Sequence, residues 1–196
     1  MQTQDSRLKT QDLLKRCSWA GSDPLYQKYH DEEWGKPVYD DKVLFEFLIL
    51  EGAQAGLSWI TILRRRENYR KAFANFEVKK VAAFDEKDVE KLMNDAGIIR
   101  NKLKVNGAIT NAKLFIEIQN EFGSFSNYLW RFMPGREPLQ SKIVTMSDVP
   151  ARTEISDAIS KDLKKRGFNF FGTTICYAFM QATGMVNDHL LDCCAR

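Results

Sequence analysis

The 196-residue chain lacks any uninterrupted apolar stretch of the ~18 residues that a spanning helix needs, which excludes a transmembrane segment. Its opening residues, MQTQDSRLKTQDLLKR, lack the apolar core of a secretory leader, so a cytoplasmic location is expected. In that reducing compartment the 4 cysteines read as metal ligands or plain core residues, not disulfides. Strand-type alternation is nearly absent, and there is neither an internal repeat nor a low-complexity tract. Charge of one sign is also scarce: 29 Lys+Arg against 26 Asp+Glu leave +3. That balance permits a nucleic-acid partner without requiring one, because placement on the surface decides.

What is present suits one sizeable helical domain, or two small lobes sharing a groove: 44% of residues are hydrophobic and 12% aromatic. Residues 1–15 read as a loose polar extension with a turn near Leu13 and Leu14. Asp40 and Asp41 can cap a helix whose Val43, Leu44, Phe47, Leu48 and Glu51 share one face. Trp59, Ile60, Ile62 and Leu63 continue the pattern, and Arg64, Arg65 and Arg66 mark a wet side. Further helices are expected over 85–93, stopped by Gly97, and over 108–122, 125–132, 156–165 and 173–183. Pro134, Pro138 and turn residues make 134–149 a loop crossing between lobes. The expected class is all-α with two lobes.

There are only 2 histidines, and each has a cysteine near it. Cys17 and His30 stand near the N-terminus; His189 and Cys193 stand at i and i+4 near the C-terminus, one helical face if that segment is helical. Two thiolates and two imidazoles complete a closed tetrahedral zinc site of the structural kind, which would clip the chain's ends together. Spacing leaves the alternative open, since the pairs lie about 160 residues apart and no finger-type spacing occurs. Cys194 is the rival ligand, and Cys176 reads as a buried small hydrophobe.

Glu51 shares its helix face with Leu44, Phe47 and Leu48, a costly place for a carboxylate without a partner. Gly52, Ala53, Ala55 and Gly56 follow it and allow close approach, and Trp19, Tyr26, Tyr29, Trp34 and Trp59 supply aromatic faces. One acid among aromatics suits a slot for a planar ring carrying donors or positive charge. Aromatic core packing with Glu51 capping a neighbouring helix is the other reading.

Residues 159–184 read as helix, short turn and helix, with Gly167 and Gly172 bracketing the turn. The Gly172 amide and the free N–H groups of the helix opened by Thr173 form an anion site beside Lys164, Lys165 and Arg166. Such a hairpin positions a DNA backbone without reading bases, and an ordinary connection remains the alternative. The remaining basic clusters, Lys79 with Lys80 and Arg100 with Lys102 and Lys104, read as solvated faces.

Several strings together give the sequence a family likeness: Arg16-Cys17-x-Trp19, Asp23-Pro24-Leu25-Tyr26, Tyr29-His30-Asp31-x-Glu33-Trp34-Gly35, Leu50-Glu51-Gly52-x-Gln54-Ala55-Gly56-Leu57-Ser58-Trp59, Gly172-Thr173-Thr174-Ile175-Cys176-Tyr177 and Val186-Asn187-Asp188-His189. From Arg16 to Cys194 the chain resembles the DNA-3-methyladenine glycosylase I family of the helix–hairpin–helix superfamily. That resemblance implies a monomeric repair enzyme that flips 3-methyladenine out of duplex DNA, hydrolyses its N-glycosidic bond and releases the free base. It implies a single glycosylase domain over 16–196, with the base pocket between two helical lobes. By resemblance, Cys17, His30, His189 and Cys193 hold a structural zinc ion, Glu51 accepts hydrogen bonds from the base, and Trp19, Tyr26, Tyr29 and Trp59 form its pocket. Lys165, Arg166, Gly167, Gly172 and Thr173 would hold the DNA backbone. Where the wider superfamily carries a catalytic Asp, this chain has Asn187, consistent with a leaving base that is already cationic and needs no protonation. Two rivals remain: a zinc-stabilised DNA-binding module without chemistry, and a metalloenzyme using the same four ligands.

Overall fold

The computed structural model describes residues 14–196, so the turn expected near Leu13 and nearly all of the N-terminal extension lie outside the described residues. Ten helices are formed among the described residues. Helix α1 (Pro24–Glu32) opens on a proline, whose missing N–H costs nothing there, and Asp23 accepts from the amides of Leu25 and Tyr26 at 2.9 and 3.2 Å. Helix α2 (Asp41–Gln54) is capped by Asp40, which accepts from Val43 at 2.9 Å. Four short helices follow: α3 (Trp59–Leu63), α4 (Arg66–Ala72), α5 (Val78–Ala82) and α6 (Glu86–Asn94). Helix α7 (Lys102–Phe122) starts earlier than its apolar pattern suggests because Asn101 caps it, and it stops at Gly123, whose φ of 80° is left-handed. After α8 (Phe125–Trp130) the chain crosses to α9 (Glu154–Arg166), ended by Gly167 at φ 100°, and α10 (Thr173–Ala182).

The near-absence of strands has one exception, a two-residue parallel pair of β1 (Leu139–Gln140) with β2 (Val186–Asn187). It fastens the crossing loop to the C-terminal segment, and a further bridge joins Ile143 to Leu190. Pairing replaces the helix that would have put His189 and Cys193 on one face. Strand β2 runs instead into turns held by the His189 amide donating to Asn187 Oδ1 at 3.2 Å and the Cys193 amide donating to the Leu190 carbonyl at 2.9 Å.

Buried hydrophobic side chains form one cluster reaching from Cys17 to Cys193. Its axis is α2, which is wrapped all round: Leu44, Phe45, Phe47, Leu48, Ile49 and Leu50 are at most 5% exposed. The expected single apolar face is therefore too narrow a description, and α2 carries two acids, Glu46 and Glu51, into the interior. Against the end of α10 lies the segment after α1, where Gly35 donates to the Gln181 carbonyl at 2.9 Å and Val38 to that of Thr183 at 3.0 Å. Gly184 makes this approach possible: its φ is 63°, and a Cβ there would sit 2.1 Å from the Lys36 carbonyl carbon.

The expected wet side at Arg64, Arg65 and Arg66 fails at Arg66, which is 8% exposed. Its guanidinium binds Glu33 at 2.6 Å and Glu46, and lies 5.1 Å from the centre of the Phe47 ring. Burial is tolerated because the acid that needs a cation, Glu46, is itself inside. Gly97 likewise does not stop α6, which ends at Asn94; Asp95 Oδ1 instead accepts from the Gly97 amide at 2.7 Å in the next turn. Replacing Arg66 by Met should cost about 3 kcal/mol in urea denaturation, because Glu46 is left buried with only Arg70 beside it, and Arg66→Met with Glu46→Met should recover most of that loss.

Candidate active site

Cys17 precedes the single turn Ser18–Ala20, His30 lies in the last turn of α1, and His189 and Cys193 follow β2. All four are buried, and their ligand atoms lie within 4.8 Å of one another. Cys193 Sγ is 3.4 Å from His30 Nε2 and 3.4 Å from His189 Nδ1, and Cys17 Sγ is 3.6 Å from His189 Nδ1. An ion bound tetrahedrally to sulfur at ~2.3 Å and nitrogen at ~2.0 Å separates those atoms by about 3.5 Å. The other ring nitrogens are engaged as metal-binding imidazoles require: His30 Nδ1 donates to Asp31 at 2.7 Å and His189 Nε2 to the Trp34 carbonyl at 3.0 Å. Amides of Leu190 and Ala195 donate to the two sulfurs at 3.4 and 3.5 Å. Burial lowers the His189 pKa to about 4, which keeps its imidazole in the neutral, ligating form. This group can hold a metal ion. Cys194, the rival, is exposed and outside the group.

The cluster also supports a wall of aromatic rings. Trp19 packs on His30 at 5.1 Å between centroids, Trp34 on His189 at 4.7 Å, and the two tryptophans meet at 5.0 Å. Beyond them opens a cleft of about 250 Å³, a little under the ~300 Å³ at which typical small-molecule sites begin. Trp19, Tyr26, Tyr29, Glu51 and Trp59, all expected at one site, do line it together. Tyr29 lies 5.5 Å from Trp59. Trp34 lines it too, and the lining residues not expected there are Gln54, Met146, Val149, Ala178 and Gln181. Trp34 had a signal in the aromatic run; the last four come from the crossing loop and α10, which only the folded chain brings here.

Glu51 is 2% exposed, and its Oε2 has no hydrogen-bond partner among the described residues, so it caps no neighbouring helix. Burial alone pushes its carboxyl pKa up to about 8. Trp59 Nε1 is equally buried and unpartnered. The cleft thus keeps one acid and one donor desolvated and unsatisfied, a costly arrangement that a ligand of matching chemistry would relieve. Positive charge on a flat ring fits best, since aromatic faces and an ionising carboxyl both favour it.

Lys104 does not stand on a solvated face but braces the helix that carries Glu51. Its Nζ donates to the carbonyls of Ala53 and Ala55 at 2.8 and 2.7 Å, closing the α2 terminus just beyond Glu51. Burial lowers the Lys104 pKa.

In the hairpin, Gly167 ends α9 and Gly172 precedes α10 without a side-chain cap. Lys165 is exposed there, while the Thr173 hydroxyl is bound to Asp157. Arg166 does not stand free for a phosphate. It donates to Glu121 at 2.6 and 3.1 Å and to Asp162 at 3.0 Å, which holds its pKa above the usual value, and it pins α9 to α7.

A mostly helical chain that holds a desolvated carboxyl among aromatic rings, with the turn between α9 and α10 beside α2, has the architecture of a protein that receives an extruded nucleobase. The methyladenine glycosylase family model matches residues 19–196, and the chain belongs to that family. It is 52% identical over 181 residues to DNA-3-methyladenine glycosylase 1 of Escherichia coli strain K12, covering 92% of this chain and 96% of that protein. A DNA-3-methyladenine glycosylase of Haemophilus influenzae is 47% identical, over 92% of this chain and 97% of its own length. A crystal structure of 3-methyladenine DNA glycosylase I superposes with a TM-score of 0.90 at 47% identity, over 93% and 100% of the two chains. A Staphylococcus aureus structure described as the basis of 3-methyladenine recognition gives 0.89 at 37% identity, over 93% and 96%.

The raised Glu51 pKa fixes a sign. Between the ordinary carboxylate value of 4.5 and about 8 the folded protein holds a proton that the unfolded chain has lost. Stability from this group is therefore full at low pH and falls by up to about 1.4 kcal/mol per pH unit across that window. Glu51→Gln should remove that slope, so denaturation from pH 5 to 8 should show the variant gaining on the wild type as pH rises.

Proposed function

We propose that this chain is a monofunctional DNA glycosylase that flips 3-methyladenine out of alkylated duplex DNA and hydrolyses its N-glycosidic bond. The observation that carries this reading is the unpartnered Glu51 carboxyl inside the aromatic cleft. A purine methylated at N3 is already cationic, so its bond to the sugar is weak and departure needs no proton donor. Attack forms a bond from water oxygen to the sugar's C1′; the C1′–N9 pair leaves with the base and neutralises its charge, and the water gives up a proton. The chain must extrude the nucleotide, grip the ring and stabilise charge on the way. Trp19, Tyr26, Tyr29 and Trp59 stack against and enclose the base. Glu51 accepts hydrogen bonds from it and ionises as the cation arrives. A neutral adenine earns less from the same pocket, so it is returned to the stack.

Asn187 is consistent with this chemistry. Its Oδ1 accepts from the His189 amide, so it shapes the turn of the metal-binding segment and serves no proton transfer. The Cys17, His30, His189 and Cys193 group would hold one zinc ion. With all four positions filled by protein the ion is structural, joins the chain's two ends, and keeps Trp19 and Trp34 in place. Four filled positions argue against the metalloenzyme reading. Within a two-lobed helix–hairpin–helix fold, Lys165, Gly167, Gly172 and Thr173 would meet the DNA backbone, and Arg166 would brace the hairpin from behind.

Methylated duplex DNA should lose free 3-methyladenine on incubation with the protein, followed by chromatography of the released bases; absence of release would end this reading. Glu51→Gln should lower single-turnover release by on the order of 100-fold while leaving DNA affinity within a few-fold. Metal analysis should find about one zinc per chain, and a strong chelator should lower Tm; metal-free protein of unchanged Tm would remove zinc from the account.

A further inference from the structure

Gln181 shares one face of α10 with Ala178, three residues earlier, and both line the cleft. Its position is over-determined. The main-chain carbonyl accepts from Gly35 at 2.9 Å, and the side-chain Nε2 donates to Asp188 Oδ2 at 2.8 Å. Asp188 is 0% exposed, and the same oxygen receives the Tyr177 hydroxyl at 2.7 Å. A buried carboxylate is expensive, and holding Tyr177 and Gln181 is what this one does.

The Gln181 NH2 and the Tyr177 hydroxyl both donate to Asp188 Oδ2, and that pair of bonds sets which way round the Gln181 amide stands. Oε1 is turned from Asp188, and it has no hydrogen-bond partner among the described residues. The cleft therefore carries a second fixed acceptor, on α10, besides Glu51 on α2.

We propose that Gln181, locked by Asp188, accepts a hydrogen bond from the exocyclic amine of the extruded base and so selects aminopurines over oxopurines. The proposal rests on the glycosylase reading. 3-Methyladenine offers two N–H donors on its amine, enough for acceptors from two walls. 3-Methylguanine carries a carbonyl oxygen at the same ring carbon. Lone pair would meet lone pair, and an amide that cannot rotate has no donor to offer instead. Gln181 would touch the base, whereas Asp188 is a positioning residue that acts through it.

Binding of free 3-methyladenine and free 3-methylguanine, followed by quenching of the cleft tryptophans, tests this in the zinc-loaded protein. Gln181→Met should weaken 3-methyladenine by about three- to tenfold, the worth of a hydrogen bond between neutral groups. It should change 3-methylguanine by less than twofold, so the selectivity ratio narrows. Tyr177→Phe strips the other donor from Asp188 but leaves the amide anchored; it should lower Tm and keep the ratio. Equal weakening of both bases by Gln181→Met, or none, would overturn the proposal and make the residue a wall of the cleft. Slower base release from DNA with free-base affinity unchanged would also overturn it and move the acceptor to the attacking water. Should Gln181→Met fail to fold, Gln181→Asn, which withdraws the oxygen by one methylene, carries the same expectation. A wild-type protein that binds neither free base would instead refute the glycosylase reading, and this proposal with it.

Discussion

A carboxyl group that the fold buries without a partner sets the terms for everything around it. Glu51 sits on a helix wrapped on all sides by apolar side chains, and nothing among the described residues neutralises it. Holding an acid there costs free energy, and only a well-packed core can carry the cost. Helix α2 has that core: it is capped at one end by Asp40 and closed at the other by Lys104. The unfavourable group is kept at a defined place because its environment is too dense to rearrange. What makes the site unstable when empty is what, on the proposed function, would make it selective, since a ligand that supplies the missing charge would relieve it.

The second constraint is the closure of the chain's two ends on each other. Cys17 and His30 meet His189 and Cys193, and Lys15 adds its carbonyl to the Cys194 amide at 2.8 Å and an ion pair to Asp192. This closure does more than fasten the termini. The ligand imidazoles lie against Trp19 and Trp34, both walls of the cleft, so the cluster and the base pocket share a surface. The same C-terminal segment carries Asp188, one residue before His189, and through it fixes Gln181. Three functions of the site thus hang on one short stretch of extended chain.

Much of this was legible from residues 16–196. The helical class followed from apolar spacing and from Asp, Asn, Ser and Thr at helix starts, signals that act over a single turn. The cluster of Cys17, His30, His189 and Cys193 was legible because histidine is so scarce that few partners exist. The aromatic residues around Glu51 were legible from their density. Other features were hidden for physical reasons. Arg66 looks like any basic surface run, and its burial depends on Glu33 arriving from the turn after α1 and Glu46 from α2. Arg166 looks like a phosphate ligand until Glu121, far back along α7, claims its guanidinium. Lys104 looks solvated until α2 ends beside it.

Local chemistry, written in the chain itself, determined the helices, their caps and the kinds of side chain available for metal and base. It could do so because capping and periodicity involve neighbours within a few residues. Which charges are paired, which acid is left alone and which way the Gln181 amide faces were decided only by tertiary structure. Those outcomes depend on partners brought together across the whole chain and on the exclusion of water, and neither exists until the core has closed.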